Sequence, residues 1–180
     1  MTDYEHARIF WSMITVVVAT GAAIIALLQA AFAIYVFRSS TVRRKREATI
    51  HYVNDIRKEY RPINNEVKKA LNSESITTQS AQEIYEDVEL RDKVAAFLGL
   101  LEHLAAGANM DVFDTELIHR TAGTYLINVF NRWWPYMEWR RQVTKNPELY
   151  SEYPELIKRL KRIREKADKK GQRGSAPHKL

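Results

Sequence analysis

The residue pattern predicts an all-α fold, with one N-terminal transmembrane helix followed by a small cytoplasmic helical bundle. Three observations carry this. No charged residue occurs from Ile9 to Phe37, and a helix needs only about 20 apolar residues to cross a bilayer core. Beyond that run, apolar residues recur three and four apart, and no segment alternates with period two. The chain also has only six glycines and five prolines, few of the turn residues that an all-β chain uses.

The apolar run is long enough to cross with tilt, and Trp11 and Tyr35 stand near its ends, where amphipathic rings favour the interface. Ala31-Phe32-Ala33 resembles a signal-peptidase site. Against cleavage, Asp3 and Glu5 precede the run, which is about twice as long as a usual signal core. Only Arg8 lies before the span on the basic side, whereas Arg38, Arg43, Arg44, Lys45 and Arg46 follow it. Basic clusters of this kind stay cytoplasmic, so the N-terminus is expected outside the cell membrane and the C-terminal domain inside. The same five residues are candidates for contact with anionic headgroups. The expected layout is 1–8 extracytoplasmic, 9–37 span, 38–72 basic juxtamembrane helix, 73–170 helical domain and 171–180 disordered basic tail.

Within the span, Ser12, Thr15, Ala19, Ala22, Ala26, Gln29 and Ala33 alternate at spacings of three and four, which sets them on one helical stripe. All are small or polar. Such a stripe lets another helix approach closely, and an amide at Gln29 facing lipid would lack a hydrogen-bond partner. Homo-oligomerisation through this seam is the expectation, with a pore lined by Ser12, Thr15 and Gln29 as its extreme form.

The cytoplasmic part reads as successive helices. Thr49, Val53, Ile56 and Tyr60 form a stripe ending near Arg61-Pro62. A polar loop over 72–80 leads to a capping box of Ser80 with Glu83, and a break is expected near Glu89. Leu90, Val94, Phe97, Leu98, Leu101, Leu104 and Ala105 make an amphipathic helix with Gly107 as its C-cap. Asp114 caps the next helix, which carries Leu117, Ile118, Ala122, Tyr125, Leu126, Val129, Phe130 and Trp133 and should kink or end at Pro135. Asn146-Pro147-Glu148 and Tyr153-Pro154-Glu155 both resemble helix starts.

Three stretches, FLGLLEHLAAGANMDVFDTELIHR from Phe97, YLINVFNRWWPYMEWRR from Tyr125 and NPELYSEYPELIKRL ending at Leu160, resemble a bacterial family of unknown function. Its members are small proteins with an N-terminal membrane helix and a helical cytoplasmic domain. The resemblance implies an inner-membrane location and brings no activity and no catalytic residues. The overall plan is also similar to the small membrane accessory proteins of RNA-targeting CRISPR systems, which form oligomeric pores. They carry an Arg-x4-6-His motif, a spacing met here by Arg44 or Arg46 with His51 and by Arg173 with His178. That likeness implies a defence-associated pore effector, with a helical nuclease-like enzyme as a further alternative.

Candidate chemistry is sparse. The absence of cysteine excludes disulfides, thiolate zinc sites and cysteine nucleophiles. Glu102, His103, Asp111, Asp114, Glu116 and His119 have suitable ligand types but no metal-site spacing, so no catalytic, cofactor or metal residue is assigned. Glu102 borders an apolar stripe and would want a partner such as Arg120 or Arg132. Trp133, Trp134, Tyr136 and Trp139 form an aromatic cluster, read as core or interface rather than as a base-stacking surface. The net charge of +6 and a basic segment from Glu155 onward suit an anionic bilayer surface, with nucleic acid as the competing partner. The expectation is a non-enzymatic membrane protein whose helical domain binds a protein partner.

Overall fold

The computed structural model describes residues 3–73 and 75–174, without side chains for 3–10, 12, 14–19 and 170–174. The described residues form five helices and no strand. These are α1 (Asp3–Leu71), α2 (Thr78–Glu86), α3 (Val88–Asn109), α4 (Thr115–Thr144) and α5 (Glu152–Gly174). The chain divides into two compact units between Arg44 and Lys45.

In the first unit, α1 carries no charged residue from Ile9 to Phe37. Leu27, Phe32 and Phe37 are about 70% exposed (71%, 69% and 71%). By length and composition this is the one helix among the described residues able to cross a membrane, with a mean hydropathy of 2.0 over its best window. Ala22, Ala26, Gln29 and Ala33 are exposed, whereas Ser12, Thr15 and Ala19 lie outside the described side chains. Ser40 and Thr41 donate hydroxyls back to the Phe37 carbonyl at 2.9 Å each.

The second unit is a helical bundle around one apolar core, and it takes in α1 from Lys45 onward. The helix does not stop at Pro62. Ile63 and Val67 are buried beyond it on the face of Val53 and Ile56, and their burial offsets the donor that proline removes. α4 continues through Pro135 for the same reason, since Trp133, Tyr136 and Met137 are buried on either side of it. α1 runs antiparallel to α3, with Tyr52 against His103 and Tyr60 against Phe97. α5 packs on both α3 and α4.

The caps differ from the sequence reading in detail. The capping box of α2 joins Thr77 and Ser80 rather than Ser80 and Glu83. Asp87 breaks the chain between α2 and α3, accepting from the Leu90 N–H at 3.0 Å. Asp114 caps α4 as expected, through the Leu117 N–H. Gly107 is not a terminus, because α3 runs on to Asn109 with Met110 as its cap. Asn146-Pro147 enters a turn rather than a helix. α5 begins at Glu152, with Pro154 in its first turn, and reaches Gly174. Four residues of the segment read as a disordered tail are therefore helical, and 175–180 lie outside the described residues.

Candidate functional site

Sequence-level candidates scatter when placed on the bundle. Glu102 finds neither Arg120 nor Arg132. Its carboxylate accepts from the Glu152 N–H at 2.8 Å and the Tyr153 N–H at 2.9 Å, the open donors at the start of α5. Burial raises its carboxyl above the ordinary value and outweighs those two bonds, which pull it down. Arg120 pairs instead with Glu116. Asp111 and Asp114 bind Lys45 (2.7 Å) and Arg46 (3.3 Å), so two of the five basic residues nominated for lipid contact meet carboxylates of the bundle. Arg38, Arg43 and Arg44 belong to the first unit and are exposed. No three potential metal ligands converge among the described residues.

The aromatic cluster divides. Trp133 and Tyr136 are wholly buried, while Trp134 and Trp139 are half-buried. Trp139 meets Tyr85 edge-on at 5.3 Å. Arg91 and Arg140 lie against the Tyr85 ring at 5.3 Å and 4.8 Å. Trp134 carries the Arg141 guanidinium at 5.2 Å. Trp133, Tyr136 and Trp139 stand in successive ring contact at 6.0 Å and 6.4 Å, a geometry that organises packing.

A hollow of about 510 Å³ opens where α1, the turn before α2 and α4 meet. Tyr60 supplies one wall, and Ser75 and Ile76 supply another. Tyr125, Asn128, Val129 and Arg132 lie three, four and seven residues apart on α4, so one helical stripe forms the third. Tyr60 and Tyr125 meet edge to face at 5.5 Å and 89°, a favourable ring geometry. Arg57 stands 5.6 Å from the Tyr125 ring and donates to the Thr121 carbonyl.

Two of the lining residues, Tyr125 and Arg132, carry unsatisfied polar atoms. Nε and Nη2 of Arg132 and the Tyr125 hydroxyl are shielded from solvent and lack a hydrogen-bond partner. Leaving such donors unpaired costs roughly 1–3 kcal/mol each. Burial pushes the Tyr125 hydroxyl strongly up, reinforced by Tyr60. Tyr60 is also raised by burial, against the pull of Arg132 and Lys68. Both phenols are therefore neutral donors near neutral pH. Among the described residues, no acidic side chain lines the hollow. Sequence periodicity places Tyr60 and Tyr125 on apolar stripes and hides this role. The legible signal is Asn128 and Arg132 on the same stripe as Tyr125, polar residues on a face that should be apolar.

A family model described as a domain of unknown function, DUF4760, matches residues 17–160. The chain belongs to the DUF4760 family. The DUF4760 match takes in the apolar run from residue 17 and every residue lining the hollow. It also contains the whole stretch from Phe97 to Leu160 on which the likeness to an uncharacterised family rests. No curated protein matches this DUF4760 chain, and no solved structure does.

Proposed function

We propose that the protein is a non-enzymatic, single-pass protein of the bacterial cell membrane whose cytoplasmic helical domain binds a protein partner. The observation that carries this is the apolar, uncharged helix followed by Arg38, Arg43 and Arg44. A helix apolar all round belongs in a protein core or a bilayer, and its best window is 0% buried against the protein. The basic residues after it orient the second unit toward the cytoplasm. The stripe of Ala22, Ala26, Gln29 and Ala33, extended by Ser12, Thr15 and Ala19 in sequence, supports self-association.

Carbonate-resistant membrane fractionation and reporter fusions at both termini test the location and orientation. Release of the full chain by carbonate, or a periplasmic C-terminal reporter, would sink the reading. Cross-linking in membranes should give oligomers that weaken when Gln29 becomes leucine and Ala26 becomes phenylalanine. The polar members of the stripe favour a second reading, an oligomeric pore such as the CRISPR-linked accessory proteins form. Expression should then depolarise cells, and the same two substitutions should prevent it.

A further inference from the structure

We propose that the hollow between Tyr60, Ile76 and Arg132 is a binding site for a small organic oxyanion, a phosphate or carboxylate joined to an aromatic or apolar body. The chemistry of the lining selects this class. A guanidinium presents parallel N–H donors that match a phosphate or carboxylate edge, and two such donors of Arg132 have no partner in the protein. The Tyr125 hydroxyl, also unpartnered, belongs to the same lining and supplies a neutral donor. Asn128, Asn131 and Ser75 add further polar groups at the rim.

The remaining walls favour an apolar body. The rings of Tyr60 and Tyr125 and the side chains of Ile76 and Val129 line the same space. A hollow of about 510 Å³ falls within the roughly 300–1,000 Å³ of small-molecule sites. Charge agrees with the assignment. Arg57, Lys58 and Arg61 border a second hollow that shares the two tyrosines, and these cations add to Arg132 in favouring an anion. A bound oxyanion would draw the shielded guanidinium into the hollow by rotation of its terminal torsions.

Unpaired, solvent-shielded donors on a part-buried Arg132 are also destabilising, and this gives the test its second readout. The full-length chain, in a non-ionic detergent, is titrated with phenyl phosphate and benzoate, with inorganic phosphate and phenol as controls for the two halves of the ligand. Phenyl phosphate or benzoate should give a saturable rise in melting temperature and a shift of the Arg132 Nε–H resonance. The controls should bind more weakly.

Arg132→Met should melt higher than wild type without ligand and lose affinity by about tenfold or more. Tyr125→Phe, which removes the other unpaired donor, should also melt higher without ligand and should weaken binding. Glu74→Gln is run alongside, because Glu74 adjoins Ser75 in sequence. No saturable binding, unchanged affinity in Arg132→Met, or binding that appears only in Glu74→Gln would each overturn the assignment. The last would mean that the chain furnishes its own carboxylate. The site does not depend on the membrane reading, so loss of one leaves the other standing.

Discussion

Glu102 on α3 closes the start of α5, its carboxylate accepting the Tyr153 N–H at 2.9 Å. The relation is reciprocal. Arg159, two turns along α5, donates to the Ala108 carbonyl at 2.9 Å, near the end of α3. An acid at a helix N-terminus and a base at a C-terminus each oppose the local partial charge, and here they also join two parallel helices. Glu102→Gln should cost about 1 kcal/mol and Glu102→Ala about 2 kcal/mol, because open N–H groups at a part-buried helix start lose their acceptor. Urea unfolding of the full chain in detergent micelles measures both.

Two carboxyl groups should move stability with pH in opposite directions. Glu102 is raised above its ordinary 4.5 by burial. The folded state then holds its proton to higher pH than the unfolded state, and stability falls as pH rises through that window. Relative to Glu102→Gln, wild type should lose stability as pH rises above the ordinary 4.5 and through the raised folded-state value. Burial acts the same way on Asp114, but the Leu117 N–H and Arg46 outweigh it and hold that carboxyl below its ordinary 3.8. Its contribution is complete above that value and disappears as pH falls through the folded one. The gap between wild type and Asp114→Asn should therefore close in acid, as thermal melts across pH would show.

Thr49 should prove sensitive to loss of a single oxygen. It is fully buried, donates to the Lys45 carbonyl at 2.7 Å and accepts from the Asp114 N–H at 3.0 Å. Thr49→Val keeps the shape and orphans that N–H, for a loss of roughly 1–3 kcal/mol. Thr49→Ser should recover most of it. Equal destabilisation by valine and serine would assign the effect to packing.

Gly107 tests steric fit against helix propensity. Alanine in a helix interior gains about 1 kcal/mol over glycine, but a Cβ here would lie 2.5 Å and 2.6 Å from two Phe113 ring carbons. That ring is buried and packed on Tyr52 at 5.2 Å, so it cannot swing clear. Gly107→Ala should be destabilising by about 1–3 kcal/mol. Adding Phe113→Leu should recover part of the loss, a coupling that a double-mutant cycle reads directly.

Arg141 gathers the turn between α4 and α5. It donates to the Leu149 carbonyl at 2.7 Å and the Tyr150 carbonyl at 2.8 Å. Tyr150 sits at φ 59, a left-handed conformation that costs a residue with Cβ roughly 1–2 kcal/mol. Lysine keeps the charge but cannot reproduce two directed donors. Arg141→Lys should therefore be destabilising by about 1–2 kcal/mol and should raise amide exchange across 146–151.

The sequence by itself determined the helical class, the apolar run and the acid that caps α4. These depend on local properties: hydrophobic period, absence of charge and the hydrogen-bonding reach of Asp114. Tertiary packing decided whether Pro62 and Pro135 end their helices, because burying Ile63, Val67, Tyr136 and Met137 outweighs one missing backbone bond. It also chose the partner of Glu102, since a carboxylate bordering a core is served by whichever donors are brought to it. A helix start 50 residues away was as available as an arginine. The hollow at Arg132 was the least legible of all. Its walls come from α1, a turn and α4, and no local pattern records that the unpaired donors of Tyr125 and Arg132 belong to one lining.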